Sequence, residues 1–280
     1  MRLIAILILI LPLAAVGQNG HSLDPDLLVQ RALANEVRAA GITGHPMRYR
    51  LHKASPRFAS TKDIFETKDG AVAHLIAVND APLSAQDKQK EQARLNALLS
   101  DPGRQRHRKQ SQDVDTARVM KVLRALPTAF LYRYAGTGTG ASGSIQKFSF
   151  RPNPKFDPPD FETQVLTQMT GEIWIDQEHE RVARLEGHLQ QDVDFGWGIL
   201  GRLNKGGWIV IEQANIWEQQ WRVVHFQMSM TGRVVFKTRV FETTEDESQF
   251  APLPVGLTYQ QAIEMMNAAS GSKKVDATRQ

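Results

Sequence analysis

Three groups of residues have the types and spacing to do chemistry. Gly138-Thr-Gly140-Ala-Ser-Gly143 spells G-x-G-x-x-G, which cradles a pyrophosphate only where a strand turns into a helix N-terminus. Here the next segment, Ile145 to Phe150, alternates as a strand, so the motif reads as a hairpin loop. Asp192 and Asp194 stand two apart. On a strand they would share a face, as a paired acid and base require; before a glycine-rich loop such pairs are more often turn residues. This pair is the one opening for a hydrolase, since no G-x-S-x-G elbow is present. The 8 histidines show no H-E-x-x-H spacing. His179 falls in a predicted turn, and His188 and His225 fall on polar strand faces, where hydrogen-bonded or solvated imidazole is expected. With Cys 0 there are no thiolate ligands, thiol nucleophiles, disulfides or acylated N-terminal cysteine. The expectation is a protein that is not an enzyme and needs no metal or cofactor.

Two further segments could bind rather than react. Phe195-Gly-Trp197-Gly-Ile-Leu200-Gly-Arg-Leu-Asn-Lys-Gly-Gly207 puts five apolar side chains on a glycine-rich connection. It reads either as a loop folded into the core, or as an apolar rim, lid or membrane-touching tip at a cavity mouth. The run Arg104, Arg106, Arg108 and Lys109 reads as a solvated loop or as a patch for anionic lipid headgroups. Little aromatic interleaving and a net charge of only +4 argue against nucleic acid.

The elements that must position these residues follow from periodicity. Asp24-Pro25 starts a helix with Val29, Leu33, Val37 and Ala40 on one face, ended by Gly41. Met47, Tyr49 and Leu51 alternate with Arg48, Arg50 and His52 as a strand, and Asp69-Gly70 marks a hairpin. Ser84 opens a charged helix that ends near Asp101-Pro102-Gly103. An amphipathic helix with Val114, Ala117, Met120, Leu123 and Leu126 then runs to Pro127. Beyond Ala129 the pattern is strands: Phe130–Tyr134, Ile145–Phe150, Glu172–Asp176, Arg181–Gln190, Trp208–Ile216, Trp221–Thr231 and Arg233–Thr243. A Pro-rich connection, Arg151 to Phe161, interrupts them, and Thr258 with Gln261 forms a capping box for a last helix. Short antiparallel strands with no βαβ rhythm predict an α+β fold. It has a single curved antiparallel sheet of about 8–11 strands with helices on one face.

The N-terminus reads as an address. Met1-Arg2 precedes an apolar run from Leu3 to Val16, and Ala15-Val16-Gly17 supplies small residues at a cleavage site. The expected organisation is a signal peptide over 1–17 and one domain over 18–269. That domain carries an inserted helical pair at 84–126, and a disordered tail follows at 270–280. Cleavage near Gly17 would deliver a periplasmic or secreted protein.

The signal peptide, first helix, long antiparallel strands and interposed helical pair resemble the LolA/LolB-like periplasmic lipoprotein-carrier superfamily, which also holds the RseB-type sensor domain. The stretch Met169-Thr-Gly-Glu-Ile-Trp-Ile-Asp, Arg181-Val-Ala-Arg-Leu-Glu-Gly and Asp194-Phe-Gly-Trp through Gly207 is similar to a family of uncharacterised secreted bacterial proteins. The resemblance spans about 24–245 as architecture and about 165–243 by motif. It implies that the sheet is a half-barrel with helices packed on its concave side, around an apolar cavity for a lipid or an acylated lipoprotein, lined by candidates Trp174, Leu185, Phe195, Trp197, Leu200, Phe226 and Met228. No residue matches an acyl-binding arginine of the carriers. The competing expectation is a cell-envelope interaction or sensor module working through the helical pair or the apolar loop.

Overall fold

The computed structural model describes residues 25–42, 44–141, 143–195, 201–234 and 237–277. The expected N-terminal address, Trp197 and Leu200 lie outside the described residues.

Helix α1 (Pro25–Ala40) leads into β1 (Met47–Ser55), β2 (Phe58–Phe65), β3 (Val72–Val78) and a two-residue β4 (Ala81–Pro82). Next come α2 (Ala85–Ser100) and α3 (Pro102–Ala129). The second half is β5 (Phe130–Gly140), β6 (Gly143–Pro152), a short α4 (Phe161–Gln164), β7 (Met169–Asp176) and β8 (Arg181–Leu189), then β9 (Val193–Phe195) and β10 (Gly201–Leu203). It closes with β11 (Trp208–Trp217), β12 (Gln220–Val234), β13 (Lys237–Pro252) and α5 (Tyr259–Ala277). The fold is α+β. All strand pairs are antiparallel, in one curved, unclosed 13-stranded sheet of order β4-β3-β2-β1-β13-β12-β11-β8-β7-β6-β5. Strands β9 and β10 extend it beside β12. The count exceeds the sequence expectation because three strands are only two or three residues long, too short for alternation to reveal.

The capping signals act as read. Ser84 Oγ accepts from Asp87 N at 3.1 Å. Thr258 Oγ1 accepts from Gln261 N, while Gln261 Oε1 accepts from Thr258 N at 2.9 Å, a reciprocal box that satisfies two free amides. The basic run is helical rather than a loop. Asp101 caps Gly103 N at 3.0 Å with Pro102 in the first turn, and α3 therefore begins before Arg104. Pro127 lies inside α3 instead of ending it. The last carbonyls find donors elsewhere: Tyr132 Oη donates to Leu126 O, Asn153 Nδ2 to Thr128 O and Asn153 N to Ala129 O. Such partners let a helix finish without its own next turn.

Register decides which side chains share a face. One row across the sheet reads Phe148, Ile173, Leu185, Ile211, Phe226, Glu245 and Lys53. Leu28, Val29, Ala32 and Leu33 of α1 and Ala125, Leu126 and Ala129 of α3 pack with Phe148, Phe150, Ile173 and Ile175 in one core. This is the inner face. The opposite, outer row reads Lys147, Trp174, Arg184, Glu212, His225, Asp246 and His52. A second core joins Phe65, Val72, Leu95 and Leu98 to Leu253, Leu257 and the α5 residues Tyr259, Ala262, Ile263 and Met266.

Strands β7 and β8 approach closely at a glycine pair, Gly171 opposite Gly187. A Cβ on Gly171 would lie 1.8 Å from Glu186 O and 2.8 Å from the Phe150 ring. Backbone must move to admit it, so Gly171→Ala should cost about 3 kcal/mol. At roughly 2–4 °C per kcal/mol for a domain of this size, the expected fall in Tm is about 6–12 °C. An unchanged melting curve would refute the close approach.

Candidate functional site: the inner face of the sheet

Helix α1 rests on β5, β7 and β8, whereas α2 and α5 rest on β3. Between these supports the inner face of β11 and β12 carries Ile209, Ile211, Phe226 and Met228, all partly exposed. Leu185 on β8 continues this strip. Leu185, Ile209 and Met228 also touch the α1–α3 core. The strip is thus the uncovered margin of the main core, apolar because strand alternation sends every second residue of β11 and β12 inward.

The strip leads to a pocket. Beyond Trp208 the edge of β12 is taken by β10, which pairs Leu203 with Gly232 and Arg202 with Arg233. Met230 faces Phe241 across β12 and β13. There a pocket of about 260 Å³ is lined by Phe161, Phe195, Leu203 and Phe241, with Gly201, Arg202, Gly232 and Arg233 around it. Phe161 and Phe195 meet edge to face at 6.1 Å. This volume lies just under the ~300–1,000 Å³ of small-molecule sites, so the pocket suits the end of an extended ligand.

The sequence candidates therefore separate. Leu185, Phe226 and Met228 share the inner strip, and Phe195 stands in the pocket. Trp174 is on the outer face. Its ring lies under Lys147 Nζ at 4.1 Å and Arg184 at 5.2 Å, and its Nε1 donates to Glu172 at 3.0 Å. It is not brought to the others.

The residues weighed for catalysis are engaged in ion pairs and hydrogen bonds. Asp194 accepts from Arg202 Nε at 2.6 Å, and Asp192 accepts from Arg202 Nη1 at 3.3 Å and Lys205 N at 2.8 Å. The two carboxylates clamp a β-hairpin. His179 pairs with the buried Asp176 at 2.8 Å, His188 with Glu186 at 3.0 Å and His225 with Asp246 at 2.7 Å. Among the described residues no three His, Asp or Glu side chains gather as metal ligands. Of the four α3 cations, Arg106 is exposed and the others are paired or half-buried. Arg104 pairs with Asp101, Lys109 pairs with Asp113, and Arg108 is half-buried, with desolvation holding its pKa below the usual value.

A polar cluster borders the strip on β1 and β13, and the sequence did not single it out. Lys53 donates to Glu245 at 2.6 Å, and Arg222 pairs with Glu66 while lying over the Tyr49 ring at 5.8 Å. Glu247 shares their face, opposite Leu51. Burial, assisted by the Glu245 charge and opposed by Arg222, pushes its carboxyl from 4.5 up to about 7. A folded pKa above the unfolded one favours the protonated fold, so this stabilising contribution is complete below about pH 4.5 and is lost by about pH 7. The expected loss is on the order of 1–3 kcal/mol. Glu247→Gln should flatten that decline in urea midpoints measured between about pH 5 and pH 8. A decline as steep as in the parent would show that another group titrates.

No helix among the described residues is long and apolar enough to cross a membrane. No protein-family profile matches the chain, and no curated protein matches it in sequence. A solved domain from Vibrio parahaemolyticus, provisionally assigned as an outer membrane lipoprotein-sorting protein domain, aligns in structure. It covers 82% of this chain and 95% of its own at 12% identity, with a TM-score of 0.26. A superposition at that score carries no argument about this chain.

Proposed function

We propose that this chain is a non-enzymatic binding protein of the cell envelope that holds the acyl chain of a lipid or an acylated lipoprotein along the inner face of its sheet. The observation that carries this reading is the partly exposed apolar strip of Leu185, Ile209, Ile211, Phe226 and Met228 between two helix-packed cores. An acyl chain laid on it gains about 0.8 kcal/mol per buried methylene. Affinity can therefore come from burial alone, without a reacting group. The export reading of the sequence from Met1 to Gly17 would put the protein where such chains must cross an aqueous space.

The test is titration with a dansyl-labelled fatty acid, alongside native mass spectrometry of protein recovered from the periplasm. Saturable uptake with a blue-shifted dansyl emission and co-purifying lipid is the expected outcome. Absence of both would overturn the reading. A stoichiometric protein partner retained without lipid would favour an interaction module instead.

A further inference from the structure

The long β12–β13 hairpin ends in a surface of a different kind from the inner strip. Residues 229–241 hold three cations, Arg233, Lys237 and Arg239, and no acid. All three are exposed, and among the described residues none makes an ion pair. Beside them stand apolar side chains that a soluble surface does not ordinarily group: Val240 is 63% exposed, Phe241 41% and Phe161 54%. Phe161 and Phe241 also open onto the apolar pocket with Phe195 and Leu203. Register puts Val240 on the opposite face of β13 from Phe241, Arg239 and Lys237. The adjoining ends of β12 and β13 therefore offer apolar and cationic side chains on both faces of the sheet.

We propose that the adjoining ends of β12 and β13 dock the protein on an anionic phospholipid surface, Phe161, Val240 and Phe241 entering the headgroup boundary and Arg233, Lys237 and Arg239 meeting the lipid phosphates. The charge selects the occupant. An aqueous peptide groove would not need unpaired cations flanking exposed aromatics, whereas an interface of anionic headgroups over acyl chains complements both features. The α3 cations make a weaker case, because Arg104 and Lys109 are already paired and Arg108 is drawn inward. This inference goes beyond the acyl-binding reading and does not depend on it. Vesicle association needs no bound acyl chain, and dansyl uptake needs no vesicle, so either can fail alone.

The experiment is co-sedimentation of the full chain with vesicles of phosphatidylglycerol and phosphatidylcholine, compared with vesicles of phosphatidylcholine alone. Binding to the anionic vesicles only, weakening as salt rises, is expected. The triple variant Arg233→Glu, Lys237→Glu, Arg239→Glu should bind about a hundredfold more weakly. Val240→Asp with Phe241→Asp should weaken binding at least about tenfold. Both variants change exposed positions, and an unchanged circular dichroism spectrum and urea midpoint would show that they fold. Arg104→Glu with Arg106→Glu should bind as the parent does. Equal binding to neutral vesicles, indifference to the hairpin variants, or loss only in the α3 variant would overturn the proposal. So would a lipid-free dimer that the same hairpin substitutions dissociate.

Discussion

Replacing Phe226 and Met228 together by aspartate should weaken dansyl fatty-acid binding about 60- to 200-fold. Both side chains lie on the inner face, on neighbouring rows opposite Ile211 and Ile209, and both are partly exposed. A chain resting there loses contact with roughly three or four methylenes, about 2.4–3.2 kcal/mol at 0.8 kcal/mol each, which converts to that range of affinity. Stability should change less than affinity, because neither residue is in the fully buried core and each can turn a carboxylate toward water. The check is a dansyl titration of the double variant beside its urea unfolding curve. Val223→Asp, also a substitution on β12 but at an exposed position on its bulge, should leave binding unchanged. Equal loss in both variants would mean that the strip is not the contact.

The second large effect lies where α1 is fastened to the sheet. Glu36 is 6% exposed. Its carboxylate accepts from Arg181 Nε at 2.7 Å and Nη2 at 3.0 Å, from Val182 N at 3.0 Å and from Gln213 Nε2 at 3.2 Å. One side chain thus ties α1 to β8 and β11, the strands that border the apolar strip. Glu36→Ala leaves the Arg181 guanidinium buried without its partner, a loss of about 3–5 kcal/mol. At roughly 2–4 °C per kcal/mol, Tm should fall by about 6–20 °C. Adding Arg181→Ala should recover part of this, because the uncompensated charge is then gone. A double variant no more stable than Glu36→Ala would show that the cost comes from packing rather than from the stranded cation. Loosened α1 would also widen the uncovered margin, so dansyl binding in Glu36→Ala should change in rate as well as in amplitude.

Much of this arrangement was legible before the structure, and the losses have physical causes. Alternation in β12 placed Phe226, Met228 and Met230 together, and the pairing bears this out. Simple alternation along Trp221–Thr231 also puts Val224 on that face. Yet β11 pairs Glu212 with His225 and Gln213 with Val223, and a bulge of one residue leaves no mark in a hydrophobic pattern. Trp174 could have been placed correctly. It stands between Ile173 and Ile175, both fully buried, so alternation alone sends it outward. The Asp101-Pro102 start of α3 uses the same signal as Asp24-Pro25, but Gly103 next to it read as a turn. Glu36 could not be found. Its partners lie 145 and 177 positions away, and a lone acid on a helix looks solvated until a strand is laid beside it. Glu247 likewise reads as surface charge in an acidic stretch, and only the inward turn of β13 desolvates it.

The most direct test of the inner-face account is methyl NMR of protein carrying ¹³C-methyl methionine, titrated with a fatty acid spin-labelled near its tail. Met228 lies on the strip and Met230 follows it on the same face, opposite the pocket-lining Phe241, whereas Met265 is exposed on α5 and Met120 lies on α3. The account predicts that the Met228 and Met230 methyl resonances broaden first and saturably, with Met265 and Met120 unaffected. Uniform broadening, or selective loss of Met265 or Met120 while Met228 stays sharp, would contradict it.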